Sequence, residues 1–228
     1  MTADWTLSIE RHGTEREPVV VIDNFVPNPD AVRGDAAMLA YAPMGIHYPG
    51  IRAAMPHAVA RRMTAAIAPI ARDVFDAPAL DLTDAFYSLV TTRPEDLTPI
   101  QRLPHFDGVE PTRLALLHYL SPDAPGGTAF YRHRSSGFET VTAARLPAYR
   151  AALEGELART GVPDPAYIDA DTMLFEQVFR VEGRFNRAIL YRGNRLHCAW
   201  LPEGTSFLAD PAHGRLTTNL FLQAVVER

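Results

Sequence analysis

The chain has no lysine: all 22 of its basic residues are arginine. Schiff-base chemistry and lysine nucleophiles are thereby excluded. It has a single cysteine, Cys198, so no internal disulfide can form, a usage that suits a reducing compartment. Cys198 stands beside His197 with nothing nearby to complete a nucleophile–base pair, and reads as a small buried apolar residue. No apolar run reaches the roughly 18 residues that a membrane-crossing helix needs, and the opening Met-Thr-Ala-Asp-Trp carries no basic-then-apolar leader. Internal repeats and low-complexity tracts are also missing. The arginines face 27 acidic residues for a net charge of −5, which is not the balance of a nucleic-acid binder. Arginine in place of lysine is the bias of a GC-rich genome. The expectation is a cytoplasmic bacterial enzyme with no membrane and no nucleic-acid partner.

What is present suits a globular protein. With 228 residues, 47% of them apolar, the chain is long enough to bury a full core, and a single domain over 1–228 is expected. A front piece of strand and helix spans about 1–78. A β core spans about 79–228 and is interrupted by a helical insertion at about 146–160.

In the front piece, Pro18 to Phe25 reads as a buried strand. Asn28-Pro29-Asp30 starts a helix that runs to about Leu39, with Asn28 as cap. Tyr41 to Pro56 reads as irregular, either a loop over a pocket mouth or a plain connection. Residues 57–75 have the clearest helical period, with Val59, Met63, Ile67, Ile70 and Val74 on one face and Pro69 predicting a kink or break. In the core, strands are expected at Leu80–Thr91, Thr112–Leu120, Thr128–Tyr131, Phe175–Val181, Arg187–His197 and Arg215–Val226. Ser121 to Gly127 makes a turn. The insertion begins with Pro147 in its first turn and stops at Gly161-Val-Pro-Asp-Pro165.

Chemistry concentrates in four residues, His105, Asp107, His197 and Arg215. Two histidines and a carboxylate can hold one face of an Fe(II) ion and leave open positions for a chelating co-substrate and O2. An arginine followed two residues later by Thr217 suits a carboxylate held by charge-assisted bonds. Singly, each residue has a plain reading: His105 and Asp107 as a surface pair, His197 as a hydrogen-bonded core histidine, Arg215 as a solvated charge. Their order along the chain and their places at strand ends favour the iron site.

The pattern His105-Phe-Asp107, Tyr119-Leu120, Gly126-Gly127, His197 and Arg215 with Thr217 resembles the 2-oxoglutarate/Fe(II)-dependent dioxygenase superfamily, and its prolyl-hydroxylase-like branch in particular. The resemblance runs from about Ala85 to the C-terminus and points to an uncharacterised bacterial family. It implies a mainly β fold with flanking helices, built on a double-stranded β-helix (jelly-roll) core. It further implies iron on His105, Asp107 and His197, with 2-oxoglutarate anchored by Arg215 and Thr217 and helped by Tyr119. Tyr87 is a further candidate for that pocket, although a core role is as plausible. The resemblance also implies that O2 and 2-oxoglutarate are consumed, and the carboxylate of Asp107 favours hydroxylation, or a related desaturation or ring closure, over halogenation. One departure stands out. Eighteen positions separate His197 from Arg215, more than is usual in that branch, so the stretch at about 200–214 has to loop out. Pro202, Gly204, Pro211 and Gly214 suit such a loop.

For the substrate, Arg132 and Arg134 are candidates. Alternate residues of a strand share a face, so both could hold an anionic group of a small molecule, amino acid or peptide, or equally form a solvated basic edge. Two rival classes remain: a cupin-like metal enzyme that does not use 2-oxoglutarate, and a non-catalytic jelly-roll binding protein.

Overall fold

The computed structural model describes residues 4–122 and 126–225. Short apolar runs, punctuated by glycine and proline, pair into two antiparallel sheets. The larger sheet holds β1 (Thr6–Arg11), β2 (Pro18–Asp23), β3 (Ala42–Pro43), β4 (Gly50–Ala54), β5 (Ala79–Val90), β6 (Arg113–Tyr119), β9 (Ala188–Arg192) and β11 (Leu216–Val225), in the order β1-β2-β9-β6-β11-β5-β4-β3. The smaller holds β10 (His197–Trp200), β7 (Gly127–His133) and β8 (Phe175–Glu182), in that order. Apolar side chains of both sheets meet between them, with Phe130 and Val181 packed on Ala115, Leu117 and Ile189. The fold is the expected jelly-roll. Residues read as a front piece supply both edges of the larger sheet, β1 and β2 at one side and β4 and β3 at the other.

Three helices flank the sheets: α1 (Pro29–Ala37), α2 (His57–Phe75) and α3 (Leu146–Thr160). Asn28 caps α1 as expected, its side-chain oxygen accepting from the Ala31 amide at 3.0 Å. Helix α2 covers the outer face of the larger sheet, but through Ala60, Met63, Thr64, Ile67, Ala71 and Phe75. The buried stripe is therefore rotated from the expected one, and Val59, Ile70 and Val74 lie at its margin, only partly buried. Pro69 does not break the helix. It and Ala65, whose carbonyl loses its partner there, both face solvent, and water can take the freed bond. No described helix is long and apolar enough to cross a membrane.

Two further expectations are revised. The stretch 41–56 contains β4, paired with β5 from Gly50↔Val90 to Ala54↔Phe86. The run Arg187–His197 is not one strand: β9 ends at Arg192, the chain turns at 193–195, and His197 opens β10 in the other sheet. The expected turn at 121–127 falls partly on residues 123–125, outside the described residues.

Candidate metal centre

His105 and Asp107 follow a one-turn helix, Pro99–Arg102, held by a reciprocal cap between Thr98 and Gln101. From there the backbone is fastened to the start of β10. The His105 amide donates to the His197 carbonyl and the His197 amide to the His105 carbonyl, each at 2.8 Å, while the Asp107 amide donates to the Gly193 carbonyl at 2.7 Å. One ligand atom from each of His105, Asp107 and His197 falls within 4.8 Å of the others. Nε2 of His197 lies 3.6 Å from Asp107 Oδ2, and Nε2 of His105 lies 3.8 Å from Asp107 Oδ1.

Hydrogen bonding assigns the His197 tautomer. Its Nδ1 sits 2.8 Å from the Arg195 carbonyl, which can only accept. Nδ1 therefore carries the proton, and the Nε2 lone pair faces Asp107. Burial pushes the His197 pKa down to about 4, so the ring is neutral near pH 7. His105 is lowered too, by burial and then by His197; His197 makes the stronger case, since 45% of the His105 side chain is open to solvent. Asp107 is pushed up by burial, against the pull of His105, Arg113 and Arg52. Its Oδ2 is buried with no hydrogen-bond partner. Two neutral imidazoles and a carboxylate thus converge, with the His197 Nε2 lone pair turned toward Asp107. A divalent cation fits that donor set, satisfies Oδ2 and supplies the missing positive charge.

The triad forms one wall of a cavity of about 980 Å³, open mouth included, whose lining also contains Tyr48, Arg52, Arg215 and Thr217. Arg215 immediately precedes β11 and is buried, with one Nη donating to the Gly127 carbonyl at 2.9 Å and its guanidinium 5.7 Å from the centre of the Tyr119 ring. No ion pair engages it among the described residues. A buried guanidinium without a carboxylate is unfavourable unless something anionic arrives. Nearby, the Tyr48 hydroxyl is buried with no hydrogen bond of ordinary geometry; burial pushes it up, with Arg215, Arg52 and the neighbouring Ser88 hydroxyl opposing. The Thr217 hydroxyl also faces this end, donating to Asn219 Oδ1 at 3.0 Å. The arrangement suits an anion, and it lies beside three residues with the geometry to hold a metal ion.

A family described as "Family of unknown function (DUF6445)" matches residues 3–222. The chain belongs to that family. No curated protein matches it. Among solved structures, it is similar to HygX from Streptomyces hygroscopicus with nickel and 2-oxoglutarate bound, at 15% identity and a TM-score of 0.52 over 92% of this chain and 84% of that one. It is similar also to SnoN, a non-haem alpha-ketoglutarate-dependent epimerase from nogalamycin biosynthesis, at 16% identity and a TM-score of 0.52 over 92% of this chain and 78% of that one. SnoK, a carbocyclase of the same type and biosynthesis, matches at 14% identity and a TM-score of 0.52, over 92% and 80% of the two chains. At such identities the likeness is one of fold.

In this DUF6445 chain the stretch before Arg215 does loop out. Residues 201–214 contain no strand or helix. They are tied down by Arg33, which donates to the Ala212 carbonyl at 3.2 Å, and by Phe207, stacked on Tyr167 at 5.7 Å. Tyr167 itself lines the cavity and donates to the Thr92 carbonyl at 2.8 Å. The spacing from His197 to Arg215 therefore does not keep the arginine from the cavity.

Other expected site residues fall elsewhere. Tyr119 lies behind the cavity wall, its hydroxyl 2.7 Å from Thr128 Oγ1, in position to support Arg215. Tyr87 is fully buried on the outer face of β5, in the core beneath the helices, because it pairs with Thr218 and shares its side of the sheet. Arg132 and Arg134 do not line the cavity. Arg132 is engaged by Glu139 at 2.9 Å and Glu176 at 3.3 Å, and Arg134 by Asp171 at 2.7 Å. Nor does α3 reach the cavity: its Tyr149, Leu153 and Leu157 pack on Phe138 and Leu174, and the segment after it contributes Tyr167 and Ile168 instead. Sequence reasoning passed over Tyr48 and Arg52. The one available signal was their place in the irregular stretch assigned to a possible pocket mouth.

Proposed function

We propose that the chain is a non-haem Fe(II)- and 2-oxoglutarate-dependent oxygenase acting as a single domain on a small molecule, amino acid or peptide. The observation that carries the reading is the buried, unpartnered Oδ2 of Asp107, set between two histidines whose nitrogens converge on it. His105, Asp107 and His197 would hold the iron. Arg215, with Thr217 and the Tyr48 hydroxyl, would take the distal carboxylate of 2-oxoglutarate, and Tyr119 would brace the Arg215 guanidinium. When bound, iron, 2-oxoglutarate and O2 together supply an oxidant for a substrate C–H bond, with succinate and CO2 as co-products. The Arg195 carbonyl keeps the His197 proton on Nδ1, away from the metal side. Tyr167 forms part of the cavity wall, backed by Phe207. A carboxylate at position 107 favours hydroxylation. Arg215, with Thr217 two residues on and the Tyr119 ring 5.7 Å from its guanidinium, supports the prolyl-hydroxylase-like branch.

The test is anaerobic Fe(II) titration in the presence of 2-oxoglutarate, following the visible metal-to-ligand charge-transfer band. The band is expected in the wild type, absent in His197→Ala and shifted to higher 2-oxoglutarate concentration in Arg215→Ala. Iron uptake with no band would favour a cupin-like metal enzyme. A protein that takes up no iron would be a jelly-roll binding module.

A further inference from the structure

Three arginines line the cavity: Arg102 is spent on the Leu97 and Pro163 carbonyls, Arg215 is assigned to the co-substrate, and Arg52 is left unused. It sits on β4, opposite Ser88, which in turn lies opposite Thr217 on β11. Paired residues of antiparallel strands share a face, so Arg52 enters the cavity from the same side as Thr217. The guanidinium carbon lies over Tyr48, 4.0 Å from the ring centre, and 5.3 Å from the ring centre of Phe86. Its Nε is buried with no hydrogen-bond partner, and no ion pair engages it among the described residues. Burial works against its charge, while Asp107 and Asp84 support that charge from a distance.

These features together describe a receptor. Two aromatic faces hold the guanidinium in one orientation, which reduces the freedom lost when it binds. Among the described residues nothing occupies its fork, and it lines the same cavity as Asp107 and His105. The larger sheet thus presents two cations to one cavity, Arg215 just before β11 and Arg52 on β4. One guanidinium with aromatic neighbours suits a planar monoanion, which accepts two parallel N–H bonds.

We propose that Arg52 receives a carboxylate of the primary substrate and so orients it at the metal centre. This rests on the oxygenase reading above and adds the substrate class, a small carboxylic acid such as an acylated amino acid or peptide terminus.

The experiment uses nickel-loaded protein and calorimetry, so it needs no turnover. The 2-oxoglutarate affinity is measured first, in the wild type, Arg52→Gln and Arg52→Lys. The binary complex is then titrated with N-acetyl-amino acids, each beside its carboxamide, and with a phosphomonoester. The expected result is that some acids bind the wild-type complex while their carboxamides do not. Arg52→Gln should weaken those acids roughly 10- to 100-fold, the loss typical of a charge-assisted pair, with 2-oxoglutarate affinity held and partial rescue by Arg52→Lys. A fall in 2-oxoglutarate affinity in Arg52→Gln would assign Arg52 to the co-substrate and overturn the proposal. So would acids and carboxamides that bind alike, a panel in which no acid binds, or a preference for the phosphomonoester. No binding of 2-oxoglutarate by the wild type would instead refute the oxygenase reading itself, taking the Arg52 assignment with it.

Discussion

The two faces of β11 carry opposite solutions to the burial of polar groups. Outward, toward the helices, Leu220 and Leu222 pack under α2 beside Leu114 and Leu116, and one polar row crosses them, Tyr87, Thr218 and His118. That row is sealed, and none of its three residues lines the cavity. Inward, Thr217, Asn219 and Phe221 alternate with them and line the cavity beside Arg215. Both faces leave buried polar atoms without partners, Tyr87 and Thr218 hydroxyls on one, Tyr48 hydroxyl and Arg52 Nε on the other. The comparison teaches that an unsatisfied polar atom signals a ligand only where a ligand can reach it. Outward, the same feature is a local weakness of the core.

Substitutions can break or sharpen this contrast. His197→Ala on the cavity side is expected to abolish iron-dependent succinate formation while the melting temperature of the metal-free protein stays near that of the wild type; residual iron-dependent turnover would show that the triad is not the centre. On the sealed side, Leu222→Ala should lower unfolding free energy by roughly 2–5 kcal/mol, read by chemical denaturation. Metal affinity of the folded fraction should be unchanged.

A pH titration addresses the same sealed row. His118 donates through Nε2 to the Asn186 side-chain oxygen at 3.0 Å, and its Nδ1 has no acceptor for a second proton. Burial accordingly pushes its pKa down to about 4 from the ordinary 6.5. The unfolded chain then binds a proton that the folded chain refuses, so this contribution is intact above pH 6.5 and lost as pH falls toward 4. The loss is about 3 kcal/mol. Denaturation midpoints at pH 7 and pH 4.5 should converge between wild type and His118→Gln; a constant difference would show that His118 does not titrate this way. At the small end, Arg134→Ala removes a solvent-exposed pair with Asp171 and should change stability by less than about 0.5 kcal/mol, with ligand binding untouched.

Much of the fold was legible in the sequence, since strand alternation and the α2 period report burial directly. The triad and Arg215 were legible for a different reason: their order along the chain matches their convergence in space. What escaped was contextual. Alternation groups Arg132 with Arg134, but β7 ends at His133 and their acidic partners Glu139, Glu176 and Asp171 lie on other segments, so neither arginine is free. Tyr87 was ambiguous because a strand defines two faces without saying which is the pocket. Arg52 was invisible because Gly50–Ala54 has too little pattern to read as a strand before β5 pairs with it. The rotated α2 stripe reflects Ala60 and Ala71, small residues that let the helix approach the sheet closely.

The reciprocal amide bonds between His105 and His197 have a consequence for how the centre is assembled. The spacing of two candidate metal ligands is set by backbone, as part of the seam where the loop before β6 meets β10. The ion does not have to gather its ligands from flexible chain, and ordering them takes little from the binding free energy. A centre of that kind is preorganised: metal exchange need not reshape the protein, and amide hydrogen exchange at His105 and His197 should be as slow without the ion as with it. Faster exchange in the metal-free protein would show that the ion itself makes the seam.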